Sequence, residues 1–287
     1  MTPPTGLLDK GLAAEEWADL RFFRPLGLRL VKRLAPTRVS ADQVTLASLL
    51  VGLAGGHLFL YADWRLNALG LLLLLASDVL DSADGQLARL RVTSTRLGAV
   101  LDGLSDYARF LNLYVHLGIR LLRAGTFPLA TIVLLAVLAG LSQSFQASIA
   151  DFVRRLYLRI GTGMAALELP EELNRPSNLA LRIYQSYLAR LPRLFPHSVA
   201  LLRSGARPGS AWEQRQSANL GHTAWFAQNI RFGLLAVTAL PGWPAGFFWL
   251  TIGPLNLIAA IVLRRHERVA AELAAAEPGS IAPDKAA

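Results

Sequence analysis

Five of the chain's eleven aspartates fall within one window of 29 residues: Asp78, Asp81, Asp84, Asp102 and Asp106. No glutamate joins them. Asp78, Asp81 and Asp84 are three apart, and Asp102 and Asp106 four apart, so on helices each set shares a face. A short turn at about Arg91–Arg96 would join the two helices as an antiparallel hairpin and bring the acidic faces together. Clustered carboxylates in a low dielectric cannot all stay ionised without compensation, which divalent cations supply. Oxygen ligands with no His or Cys nearby favour Mg²⁺, Mn²⁺ or Ca²⁺ over Zn²⁺. Two such ions side by side are a common device for in-line displacement at phosphorus. Gly85 and Ala88 beside Asp84 leave room for a flat group such as a nucleotide, and Arg89 offers a cation for a phosphate. Gly98, one turn before Asp102, lets the two helices approach closely.

The elements that must carry these acids are long and apolar. Of 287 residues, 53% are hydrophobic and 17% charged, against roughly 25% charged in soluble domains. That composition excludes a disordered chain. The absence of cysteine excludes disulfides, thiolate metal sites and Cys nucleophiles. Six stretches match the roughly 20 residues a membrane span needs: Val44–Ala62, Leu66–Ala83, Ala99–Leu121, Phe127–Ile149, Leu220–Leu240 and Pro244–Leu263. The fold expected is an all-α integral membrane bundle of six transmembrane helices. Residues 1–43 read as a cytoplasmic amphipathic segment and 44–149 as spans one to four with the acids. Residues 150–219 read as a long cytoplasmic or interfacial insertion, 220–269 as spans five and six, and 270–287 as a cytoplasmic tail.

The net charge of +9 is one-sided. Twenty-four Lys and Arg residues lie in the segments that six spans put on the side of the termini, and three (Arg65, Arg120, Arg123) in the opposite loops. By the positive-inside rule both termini are cytoplasmic, in the cell (inner) membrane. The first forty residues hold no signal-peptide core, which agrees with an uncleaved N-terminus. The basic collar faces anionic lipid rather than nucleic acid. Glu15–Leu34 mixes Trp17, Phe22, Phe23, Leu26 and Leu30 with five cations, a composition suited to an interfacial amphipathic helix. Pro25 is expected to break it in two. Residues 177–194 repeat the theme, and Gly52, Gly55 and Gly56 read as a helix-packing face.

The acids then match a known pattern. Asp81-Ser-Ala-Asp84-Gly85-Gln-Leu-Ala88-Arg89, eight residues, Gly98-Ala-Val-Leu-Asp102-Gly-Leu-Ser-Asp106 resembles the signature of the membrane CDP-alcohol phosphotransferase family in every fixed position. Chance would give the match on the order of 10⁻¹⁰ per starting position at ordinary residue frequencies. The resemblance implies a transferase of phospholipid biosynthesis that moves a phospho-alcohol group from a CDP-linked donor to an acceptor hydroxyl and releases CMP. It implies that Asp81, Asp84, Asp102 and Asp106 hold two divalent cations, Mg²⁺ or Mn²⁺. Asp106 would also be the base that takes the acceptor proton. Asp84, Gly85, Ala88, Arg89 and Gly98 would form the CDP side of the site, and a homodimer is expected. The chain departs from many bacterial members in carrying Tyr107, not Arg or Lys, after the last aspartate. It also departs in the length of Ala150–Ala218.

Acceptor candidates are Arg109, Arg154 and Arg231. Arg109 lies on the stripe of Asp102 and Asp106, where it would bind an acceptor phosphate or hold Asp106 ionised. Arg154 and Arg155 follow span four, where they would guide a phosphate or anchor the span. Arg231 is costly in lipid and should face the bundle interior, with anion binding as its favoured role. Asp78 reads as an outer group, a cap or a solvent-facing residue. Ser142, Gln143, Ser144 and Gln146 make the end of span four polar. His57, His116 and His222 stand as single imidazoles, and Trp243, Phe247 and Trp249 read as an interfacial belt.

The donor expected is CDP-diacylglycerol and the acceptor a small polar alcohol, with inositol phosphate or glycerol phosphate suited to the cationic surroundings. The alternative is a soluble CDP-alcohol donor with a lipid acceptor. A prenyl-diphosphate transferase is more remote, since it resembles D-D-x-x-D and lacks G-x-x-A-R. A cation transporter would place its acids near the bilayer midplane, whereas these lie near the cytoplasmic ends of their spans.

Overall fold

A backbone in hydrocarbon must satisfy its own polar groups, and a helix does so within one segment. The structure, a computed structural model, describes residues 18–92, 96–162, 189–205 and 209–276, with 96–104, 106 and 162 described by backbone alone. All its regular elements are helical, and no strand occurs among the described residues. The α-helices in chain order are α1 (Arg24–Leu34), α2 (Ala41–His57), α3 (Trp64–Arg91), α4 (Arg96–Arg123) and α5 (Leu129–Thr162). They are followed by α6 (Pro196–Arg203), α7 (Gly209–His222), α8 (Gln228–Ala239), α9 (Ala245–Ile252) and α10 (Pro254–Ala276). Ranges long and apolar enough to cross a membrane are Ala41–Leu60, Trp64–Arg91, Leu129–Gly161 and Ala245–Ala276. They give the chain the character of an integral membrane protein.

Two of the six expected spans differ from these. The third lies within α4, 28 residues long and so about 42 Å, but part of it is described by backbone alone. The fifth is not one helix. Thr223–Phe226 form a 3₁₀ turn, Ala227 is extended at φ −62° and ψ 152°, and α8 has only 12 residues. Thr223 Oγ1 donates to Leu220 O at 2.7 Å, a local bond that competes with helix continuation. In the sixth span the helical backbone is interrupted at Gly253, at φ −88° and ψ −86°, where Pro254 supplies no backbone N–H.

Pro25 does not break the N-terminal segment. A π-turn at Asp19–Phe23 runs into α1, with Pro25 in the first turn and helical backbone at the junction. Pro25 forfeits one bond to the preceding turn, and the wider π-turn just before it, where Arg24 N–H reaches Asp19 O, makes room for the ring without ending the helix.

The described residues form two compact units, one of those within 1–143 and 227–254, the other of those within 144–226 and 255–287. In the first unit, α2 begins with a reciprocal capping box between Ser40 and Gln43. Ser48 and Ser77 exchange hydroxyl-to-carbonyl bonds, each 2.9 Å, across α2 and α3. A Cβ on Gly55 would stand 2.8 Å from Gly70 O, and one on Gly70 2.7 Å from Gly55 O. In lipid, helices associate through such close packing and polar contacts. Phe59, Leu113, Leu117, Leu135, Phe232 and Phe247 belong to its main apolar core. Phe247 is fully buried, so it is a core residue and not part of a belt; Trp243 and Trp249 remain about half exposed. Val31, Val44, Ala83 and Leu87 form a smaller core where α1 and α2 meet α3.

In the second unit, Trp212 and Phe195 pack edge-on to His266, and Trp212 Nε1 donates to Tyr157 O at 3.2 Å. Glu267 accepts from the backbone N–H groups of His197 and Ser198 at the start of α6. The tail expected from Ala270 starts within α10, where Ala270 is buried. Residues 277–287, and 177–188 of the second amphipathic stretch, lie outside the described residues.

Candidate functional site

The helical period of α3 puts Asp78, Asp81 and Asp84 on neighbouring turns of one side. Asp84 is 6% exposed. A buried acid beside a membrane calls for a compensating cation, and for Asp78 and Asp81 α4 provides it. Arg109, 2% exposed, donates from Nη1 to Ser77 Oγ at 2.7 Å and to Asp78 Oδ1 at 3.3 Å. Its Nη2 donates to Asp81 Oδ1 at 3.1 Å. Gly52 makes room for this side chain: a Cβ there would lie 2.4 Å from Arg109 Cδ and 2.8 Å from Ser77 Oγ. From the first turn of α8, Gln228 Nε2 donates to Asp78 Oδ1 at 2.7 Å. Arg109, read as an acceptor ligand or a partner of Asp106, thus makes its described ion pairs with Asp78 and Asp81. Asp78 is an inward, bridging acid rather than a solvent-facing one.

The side chains of Asp102 and Asp106, and residue 98 beyond its helical backbone, lie outside the described residues. The helix that carries them is in register with α3. Arg120 Nη1 donates to Asn67 Oδ1 at 2.7 Å, while Arg109 meets Asp78. Each contact lies eleven residues from the other along both helices, one ascending as the other descends, so the pair is antiparallel. Continuing that register brings backbone position 106 level with 81, and 102 level with 85. Among the described residues no group of three or more His, Cys, Asp or Glu side chains gathers as a metal cluster.

Beyond Asp84 on α3, the Arg89 guanidinium folds back over Gly85, its Nη1 3.4 Å from where a Cβ on Gly85 would stand. A larger residue at 85 would press on that cation. Ala88 is half-buried one turn from Asp84. Gly27 of α1 seats against Ser82 and Ala83, a Cβ there lying 3.2 Å from Ala83 N. Gln86 Nε2 donates to Arg24 O at 3.2 Å.

The other acceptor candidates are placed separately. Arg231 is 2% exposed on α8 in the first unit, facing inward as its cost in lipid requires. In that unit the Tyr114 hydroxyl donates to Gln143 Oε1. Arg154 lies on α5 in the second unit, where Arg155 pairs with Asp151 at 2.8 Å. Gln146 donates to Asn256 Oδ1 at 2.7 Å there.

Sequence reasoning missed four features. Ser77 and Gln228 carry no motif; only tertiary packing brings them to the acids. Gly52 was legible as a packing glycine, but not as the cradle of Arg109. His57 and His116, read as single imidazoles, are hydrogen-bonded between Nδ1 and Nε2 at 2.9 Å, which joins α2 to α4.

No curated protein matches the chain. Residues 38–168, which contain the whole acidic frame from Asp78 to Asp106, match the family model CDP-alcohol phosphatidyltransferase, and the chain carries a domain of that family over those residues.

Proposed function

We propose that the protein transfers a phosphatidyl group from CDP-diacylglycerol to the hydroxyl of a small polar alcohol, releasing CMP. The observation that carries this reading is the complete D-x-x-D-G-x-x-A-R…G-x-x-x-D-x-x-x-D frame inside the family match at 38–168. The donor set suits a hard divalent cation: carboxylates, one of them nearly buried, with no thiolate or imidazole in the frame. Asp81, Asp84, Asp102 and Asp106 would hold two Mg²⁺ or Mn²⁺ ions. When bound, these ions neutralise charge developing on the donor pyrophosphate.

The chain's own residues do the rest. Arg89 meets a donor phosphate, and Gly85 and Ala88 leave space for the cytidine. Asp106 accepts the acceptor's hydroxyl proton. The acceptor oxygen bonds to the phosphorus that carries the diacylglycerol, and the bond from that phosphorus to the bridging oxygen breaks, its electron pair leaving with CMP. Arg109, paired with both, orients Asp78 and Asp81. Arg231, an inward cation of the same unit, suits an anionic acceptor such as inositol phosphate or glycerol phosphate.

The test is CMP release by the purified protein with Mg²⁺ or Mn²⁺, CDP-diacylglycerol and a panel of acceptor alcohols. A second arm offers soluble CDP-alcohols with diacylglycerol or phospholipid acceptors. The expected result is metal-dependent CMP release with CDP-diacylglycerol and one acceptor class. Asp106→Asn should abolish it while donor binding persists. CMP release confined to the second arm would reverse the assignment of lipid as donor. Absence of release in both arms would overturn the transferase reading.

A further inference from the structure

Among the described residues Val92 is the one non-glycine with positive φ, at 53°. It closes α3 in the left-handed conformation and is 91% exposed. Left-handed helix caps are normally Gly or Asn, because a β-branched side chain is strained there. Strain of this kind persists where the surroundings over-determine it, and such sites cluster near function. Val92 stands between the two halves of the acidic frame, eight residues after Asp84 and ten before Asp102.

What holds it is the neighbouring residue. Arg91 Nη2 donates to Leu34 O at 3.0 Å, Thr37 O at 2.9 Å and Ala35 O at 3.4 Å, and Nη1 donates to Val39 O. Its guanidinium fork thus gathers the carbonyls of Leu34 and Ala35 at the end of α1 and those of Thr37 and Val39 in the loop that follows. A cation at a helix C-terminus is also favoured by the helix dipole. Thr37 stiffens the same loop, its Oγ1 donating to Leu34 O at 2.7 Å and accepting from Val39 N at 3.3 Å. The other end of α1 is seated on α3 through Gly27 and Arg24 O. The last turn of α3 is therefore fixed to α1 and to the loop after it, next to the left-handed residue that ends α3.

We infer that Arg91 is a positioning residue: through α1 it holds the strained Val92 turn, and that turn sets how the acids of α3 and α4 face each other. The inference rests on the transferase reading above. Arg91 touches neither donor nor acceptor and acts through the geometry of the carboxylates.

The test uses the full chain in detergent or nanodiscs, with Mn²⁺ as probe in the presence of CDP-diacylglycerol. Arg91→Ala should raise the Mn²⁺ concentration for half-saturation at least about tenfold, as misplacement of a catalytic array by an ångström or less can do. Val92→Gly in the Arg91→Ala background should restore it to within about threefold, because glycine adopts the left-handed turn without a clamp. In the double variant, relief of the left-handed strain and the freer unfolded chain act on thermal stability in opposite directions, so Mn²⁺ affinity, not stability, is the deciding readout. A purely structural cap would show the opposite: stability and Mn²⁺ affinity falling together, with no rescue by glycine. If Arg91→Ala does not fold, Arg91→Lys replaces it, since one ammonium cannot span four carbonyls. Unchanged Mn²⁺ affinity in the Arg91 variant, or loss without rescue, overturns the inference alone. A wild-type chain that binds no Mn²⁺ with the donor overturns the transferase reading as well.

Discussion

Arg109 shows what one residue must satisfy to sit at the edge of a membrane. Its guanidinium is almost fully buried and meets two carboxylates and a hydroxyl, and removing one partner from such a buried set leaves charge uncompensated, typically at about 3–5 kcal/mol. Arg109→Ala should therefore abolish CMP release and lower the melting temperature, and adding Asp78→Asn should recover part of the stability but little of the activity. A double-mutant cycle by thermal unfolding and CMP release measures both; full additivity would show that Arg109 and Asp78 are not coupled. Gly52→Ala reaches the same network from α2. Its Cβ would stand 2.4 Å from Arg109 Cδ, so the guanidinium must move, and kcat should fall at least about tenfold, since small misplacements at a site carry such losses. Gly221→Ala, with nothing within 4 Å of the new Cβ, is the comparison and should leave kcat unchanged. If Gly52→Ala also leaves kcat unchanged, Arg109 is not needed in its observed position. The acids and Arg109 stood out in the sequence because their types and spacing are costly anywhere else, but that Arg109 pairs with Asp78 and Asp81 did not. Their partners Ser77 and Gln228 were not, since a serine within an apolar run and a glutamine after a loop carry no pattern of their own.

Among the elements, the crossing of α2 and α3 decides where Asp78 and Asp81 stand. The glycines of α2 could be read as a packing face, but their counterpart Gly70 needed the register that Ser48 and Ser77 set. Because Gly55 and Gly70 each meet the other's carbonyl, Gly70→Val forces the two backbones apart. It should cost about 1–3 kcal/mol, the usual range for overpacking, seen as a lower melting temperature in detergent. An unchanged melting temperature would mean that the helices do not cross at this contact. The end of α3 at Arg91 and the start of α4 at Arg96 were also legible, from the switch out of the apolar run. Two other elements were misread for one reason, that hydropathy reports composition and not backbone continuity. Pro25 is absorbed by the π-turn before it, and the apolar stretch 220–240 hides a 3₁₀ turn and an extended Ala227.

For the whole molecule, that broken stretch decides the topology. An α8 of 12 residues spans about 18 Å, against a hydrocarbon core of about 30 Å. Length alone would leave the segment short of crossing, whereas charge asks for a crossing. The Lys and Arg residues after span six, Arg264, Arg265, Arg268 and Lys285, match the sign of the basic N-terminal segment, and the positive-inside bias acts strongly on short flanks such as these. The residues before α8 can extend its reach, and a short span is accommodated by local thinning at a fraction of a kcal/mol per ångström. That is a smaller cost than translocating a cluster of arginines, each unfavourable in the membrane by several kcal/mol. Both termini are therefore expected in the cytoplasm, with the Pro241–Trp243 turn on the opposite face. A fluorescent reporter after the C-terminus should be bright, and a phosphatase inserted at Gly242, an exposed turn residue at φ 92°, should be active. Phosphatase inactivity at Gly242 with a bright C-terminus would mean that neither α8 nor the helix after it crosses. Activity at the C-terminus would make the span count odd and move the basic end of α10 away from the cytoplasm.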